Sequence, residues 1–149
     1  LCRGLVEKGV KVNTERALTL ALLHDVPEAL THDIDRRVVK LGGQPMKLGK
    51  HQAERNAVTK LSQTAGILGN ILEEAWTLLE SDNSLEAQIV HACDRLETSV
   101  QALEYVMQGY RPEQFNEFWK AAKAQKEGAM DEIAQILNPL LDRIKDYQS

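Results

Sequence analysis

Five side chains that can bind a cation or move a proton stand within ten residues of one another: His24, Asp25, Glu28, His32 and Asp33, in the stretch LTLALLHDVPEALTHDI from Leu18 to Ile34. An imidazole and a carboxylate without a thiolate make a ligand pair for a divalent cation such as Mn²⁺, Fe²⁺, Co²⁺, Ni²⁺, Zn²⁺ or Mg²⁺. Neighbouring residues sit roughly 100° apart around a helix, so His24 and Asp25 cannot share one face. A long His and a short Asp can still converge beside the helix, and Glu28 falls on their side, three residues after Asp25 and four after His24. The bland alternative is a surface pair or a helix cap. Against it stands LALL, which directly precedes the pair and implies a helix that is buried as it arrives there. Ionisable groups at such a place need a cation, a proton or each other.

The elements that must position these groups are helical. Leu1 to Lys8 reads as the tail of a helix closed by Gly9. A second helix starts after Asn13 or Thr14, with Glu15 in its first turn, and runs through Leu18, Leu22 and Leu23 to the His24–Asp25 pair. Pro27 lacks an N–H and disfavours helical geometry at Val26, so the chain must kink or restart there, which can aim Glu28 and Asp33 at one point. Residues 40 to 50, KLGGQPMKLGK, read as a mobile connecting loop beside the site. A helix from His51 to about Leu61 follows, with His51 at its cap; Gly66 and Gly69 interrupt it, and Ile71 to Leu79 form another helix with Trp76 as core anchor.

Ser81-Asp82-Asn83-Ser84 is a turn that caps the next helix, whose apolar stripe is Leu85, Ile89, Ala92, Leu96, Val100 and Leu103. Asp94 sits at the border of that stripe with His91 one turn before it. Packing of this face against the apolar second helix would bring Asp94 to His24 and Asp25; the alternative is an Asp paired with an arginine or a cap. Gly109 closes the helix and Pro112 opens the next segment. Phe115, Phe118, Trp119 and Ala122, then Ile133, Ile136, Leu137, Leu140, Leu141 and Ile144, form a long amphipathic segment interrupted near Asn138-Pro139, its aromatic cluster serving as core or dimer interface.

Composition sets the frame. With 149 residues the chain suits a single domain with one sizeable core. Hydrophobic residues make up 43% and aromatics 5%, and alternating Val, Ile and Thr are scarce, which argues for an all-α fold. A net charge of −4 argues against a nucleic acid polymer as the ligand. Cys2 and Cys93 are too few for a disulfide framework, so a reducing, cytoplasmic setting is expected. No apolar run reaches the length of a membrane span. The chain begins at Leu1 and not at Met, so an incomplete chain is expected.

HDVPEALTHDI, followed some sixty residues later by IVHACDRLETSVQALEYV, resembles the HD-domain metal-dependent phosphohydrolases, and within them the branch that contains bacterial 5′-deoxynucleotidases. The resemblance runs clearly from about Val12 to Met107. It implies an all-α, single-domain HD-type helical bundle over residues 1–149, a bound divalent metal ion, and a small-molecule phosphate ester, a (deoxy)nucleoside 5′-monophosphate, as substrate, with no nucleic acid polymer or membrane involved. By the same resemblance His24, Asp25 and Asp94 are metal ligands. Glu28 orients or deprotonates the attacking water, and Asp33 contacts substrate or assists proton transfer. The family's first ligand His belongs to a helix upstream of Leu1, and His32 stands where the branch usually has Gly. A homodimer is also implied. Two alternatives stay open: hydrolysis of an alarmone or a nucleoside triphosphate, against which Glu28-Ala29 speaks because alarmone hydrolases carry Glu-Asp there, and an HD scaffold that serves binding or dimerisation without catalysis.

Overall fold

A computed structural model describes residues 1–81, 84–120 and 131–145, and among them the regular structure is helical throughout. The elements are α1 (Cys2–Glu7), α2 (Thr14–Leu23), α3 (Glu28–Thr31), α4 (Arg36–Thr64), α5 (Ile67–Ser81), α6 (Leu85–Met107), a 3₁₀ turn (Pro112–Phe115) that leads into helical residues 116–120, and α7 (Asp131–Lys145). The expected residues Asp82, Asn83 and Ala122 and the side chain of Ile144 lie outside what the structure describes. The helices sort into two compact units, residues 1–17 with 85–149 and residues 18–84, and the boundary falls within α2.

The first unit is built on a dense apolar core. Leu5 of α1, Ile89 and Ala92 of α6, Trp119, and Ile133, Leu137 and Leu141 of α7 are all buried together. Helix ends are closed as the sequence implies. The Gly9 N–H reaches the Val6 carbonyl and the Val10 N–H the Leu5 carbonyl, and the same pair of bonds recurs at Gly109 and Tyr110 with Val106 and Tyr105. That is the Schellman pattern, which satisfies carbonyls the last turn would otherwise leave open. Asn13 caps α2 by accepting from the Arg16 N–H at 3.0 Å. The indole of Trp119 donates to the Pro112 carbonyl at 3.2 Å, so this buried aromatic also satisfies its polar atom. Against expectation, α7 continues through Asn138-Pro139 without a break. Burial of Ile133, Leu137 and Leu141 on one face outweighs the single helix bond that Pro139 forgoes.

The second unit has a thinner core of Leu20, Ala57, Val58, Leu72, Ala75 and Leu79. Its α4 corrects the expected loop: residues 40–50 belong to the helix, which kinks once at Gly43 (φ 62°, ψ −152°). A side chain would strain in that conformation, and glycine adopts it freely. After the kink Pro45 falls in the first turn of the renewed helix, where a missing N–H costs nothing. At the α4–α5 corner Gly66 breaks the helix as expected (φ 60°), whereas Gly69 does not. Gly69 is buried inside α5, and a Cβ there would run into the backbone carbonyl of Ser62. Trp76 is only half-buried.

Candidate functional site

The local chain geometry after α2 makes the pair. α2 stops at Leu23, residues 24–27 form a turn, and Pro27 precedes the short α3 that starts with Glu28. His24 and Asp25 therefore project from a turn, free of the angular limit of a helix. His24 Nε2 lies 3.0 Å from Asp25 Oδ2. The other ring nitrogen, Nδ1, sits 2.7 Å from the Ala21 carbonyl. A carbonyl only accepts, so Nδ1 points its proton at Ala21, and Nε2 is the ring nitrogen turned toward Asp25. Orientation of a ligand His by a backbone carbonyl is the usual second-sphere arrangement at metal sites.

Two electron-pair donors held 3.0 Å apart fit neighbouring positions on one cation, for which bonds of about 2.0–2.2 Å are usual. The donor set thus suits a divalent ion. Among the described residues no group of three or more His, Cys, Asp or Glu side chains gathers as a metal-holding cluster. Asp94 is exposed on α6 and belongs to the other unit, as does the half-buried His91. The helix leading to the pair is also less buried than LALL implies: Ala17 and Leu20 are buried, but Leu18 and Leu22 are 58% and 78% exposed.

Around Glu28 the structure gathers charge. Burial raises the Glu28 carboxyl above its ordinary pKa, the nearby Asp25 and Asp33 carboxylates add to the rise, Lys50 opposes it, and Glu54 adds further. A carboxyl raised in this way is a stronger base once ionised and sits closer to the working pH of a general base. Asp33 is exposed on the short stretch between α3 and α4. That stretch is shaped at both ends. His32 before it has φ 58° and ψ 164°, the one positive φ at a non-glycine position among the described residues. Asp35 after it caps α4, accepting from the Arg37 N–H at 2.6 Å and from the Arg37 guanidinium at 3.0 and 3.2 Å. Those bonds hold the Asp35 carboxyl below its ordinary pKa.

Lys50 falls at the end of the expected loop and Glu54 inside the helix expected from His51, so the sequence alone links neither to the site. In α4 they lie one turn apart, with Lys50 Nζ 3.5 Å from Glu54 Oε1 and 3.5 Å from the Ile34 carbonyl. The signal available in the sequence was a Lys and a Glu at i, i+4 ahead of Ala57 and Val58. His51 is not a cap: it pairs with Glu80 at 2.5 Å and lies against the Trp76 ring, joining α4 to α5.

Comparison with known proteins bears on the same residues. The HD domain family matches the chain over residues 3–134. A 5′-deoxynucleotidase HDDC2 of Danio rerio is 31% identical over 78% of this chain and 56% of its own length. The protein of the same name from Bos taurus is 30% identical over 92% of this chain and 64% of its own. The chain thus spans somewhat less than two thirds of these relatives. A solved structure, a conserved hypothetical protein from Pyrococcus furiosus, superposes with a TM-score of 0.74 at 26% identity, covering 97% of this chain and 73% of that one.

Proposed function

Since the chain belongs to the HD domain family and has its all-α fold, we propose that it is a metal-dependent phosphomonoesterase acting on (deoxy)nucleoside 5′-monophosphates. The observation that carries the reading is the His24–Asp25 pair, with Nδ1 satisfied by the Ala21 carbonyl and Nε2 held 3.0 Å from the carboxylate. The 5′-deoxynucleotidase relatives support the substrate class.

His24 and Asp25 would hold a divalent ion, and the family resemblance adds Asp94 to the ligand set. When bound, that ion offsets phosphate charge and polarises a phosphoryl oxygen. Glu28 accepts the proton of the attacking water as its oxygen bonds to phosphorus and the bond to the 5′ oxygen breaks. Asp33, exposed and beside Glu28, contacts the substrate or assists return of a proton to the leaving oxygen. Cytoplasmic residence and a homodimer belong to the same reading; the two free thiols, Cys2 and Cys93, suit a reducing compartment. No described helix is long and apolar enough to cross a membrane.

Phosphate release from deoxy- and ribonucleoside 5′-monophosphates, with Mn²⁺, Co²⁺ and Mg²⁺ supplied in turn, tests the reading. Release should require metal, and Asp25→Ala should lower it by more than the ~10- to 100-fold that loss of an outer-sphere partner costs. An Asp25→Ala protein as active as the parent sinks the metal assignment.

A further inference from the structure

Lys50 is unusual for a helix lysine. Its side chain is only 26% exposed and that of its partner Glu54 only 19%. An i, i+4 ion pair adds little to the stability of a helix. Here the order is Lys before Glu, the less favourable of the two along a helix dipole. Helix stability therefore explains little of why the pair is there. Location explains more, because Nζ also reaches toward the carbonyl of Ile34, the residue that follows Asp33.

Resting on the phosphohydrolase reading above, we propose that Lys50 is a positioning residue of the site: held between Glu54 and the Ile34 carbonyl, it ties α4 to the segment carrying Asp33 and sets a positive charge near Glu28. The segment needs such a tie. It leaves α3 through His32 in a backbone conformation that a side chain disfavours, and it enters α4 only three residues after Asp33. The Asp35–Arg37 bonds secure its far end, and Lys50 secures its middle. Three carboxylates, Asp25, Asp33 and Glu54, bear on Glu28 here, and the Lys50 ammonium opposes their repulsion of it.

The test compares Lys50→Met, which keeps the apolar stem, with Lys50→Arg, which keeps the charge, and with Glu54→Gln, which releases the other end of the tie. Two readouts are taken on the full-length protein: hydrogen exchange without added metal at the amides of residues 37–39, which bond back to Asp35, and steady-state phosphate release with Mn²⁺. Lys50→Met should speed exchange of those amides by roughly tenfold relative to amides of α6. It should lower kcat by ~10- to 100-fold, as an outer-sphere loss does, with KM within about threefold. Lys50→Arg should restore most of both, and Glu54→Gln should move both in the direction of Lys50→Met. Parent-like exchange and parent-like kcat in Lys50→Met overturn the proposal. So does a uniform rise in exchange across α6 as well, which would mark a general loss of stability. If the parent itself releases no phosphate, the phosphohydrolase reading fails, while the exchange readout still decides whether Lys50 holds the segment.

Discussion

The two units of this chain spend their apolar residues differently. In the unit of α1, α6 and α7, the large side chains Leu5, Ile89, Ile133 and Leu137 are at most 2% exposed. In the unit of α3, α4 and α5, Leu20 is the one large side chain among the described residues buried to that degree, while Leu22, Leu41 and Ile67 are 78%, 90% and 81% exposed. The same unit carries the half-buried Glu28, with Asp25 and Asp33 near it, and the strained His32. One unit carries the denser core, the other the candidate site. Holding like charges together and a side chain at positive φ costs stability, so the site-bearing unit should be the softer of the two.

The largest effect is expected in the dense core. Leu137→Ala should lower unfolding free energy by about 2–5 kcal/mol in denaturant titration, since its cavity is lined by residues that cannot collapse into it. A loss under about 1 kcal/mol would erase the contrast between the units. Next comes the close approach of α5 to α4. Gly69→Ala forces a methyl onto the Ser62 carbonyl and should cost about 1–3 kcal/mol, with the extra hydrogen exchange confined to residues 57–79.

Two substitutions in the site should stabilise the protein. His32→Gly removes the strain of φ 58° and should raise stability by about 1 kcal/mol, net of glycine's larger unfolded-state entropy. A destabilised His32→Gly would mean that the imidazole makes a contact worth more than the strain. The smallest effect is the one that depends on pH. Glu28 has a folded pKa raised above its unfolded value, so its ionisation favours the unfolded chain, and stability is lost as pH rises from the unfolded pKa through the folded one. Glu28→Gln should therefore be more stable than the parent at pH 7, and the advantage should vanish below about pH 4, near the ordinary carboxylate pKa. The same variant should lose phosphate release, so stability and activity move in opposite directions at this residue.

Much of this was legible from residues close together in the chain. The Asn13 cap, the closures at Gly9 and Gly109, the restart after Pro27 and the break at Gly66 each depend on backbone preferences of a few neighbouring residues. His24, Asp25, Glu28 and Asp33 could be singled out for the same reason, since they share one short stretch. Misreadings arose where local preference met longer-range packing. Three glycines and a proline between residues 40 and 50 suggest a loop, yet only Gly43 departs from the helix, and Pro139 sits inside α7 because its neighbours bury a full face. Gly69 resembled a breaker and is a contact point between two helices.

Sequence by itself determined the helical class, most helix ends and the identity of the ionisable cluster, because periodicity, capping and titration chemistry reside in the residues. Only tertiary structure decided that Lys50 and Glu54 join that cluster, that Leu18 and Leu22 face outward, and that His24 offers Nε2 and not Nδ1 to Asp25. Each of those depends on which groups meet across the fold, and the free energy of a charge or an apolar side chain is set by what surrounds it.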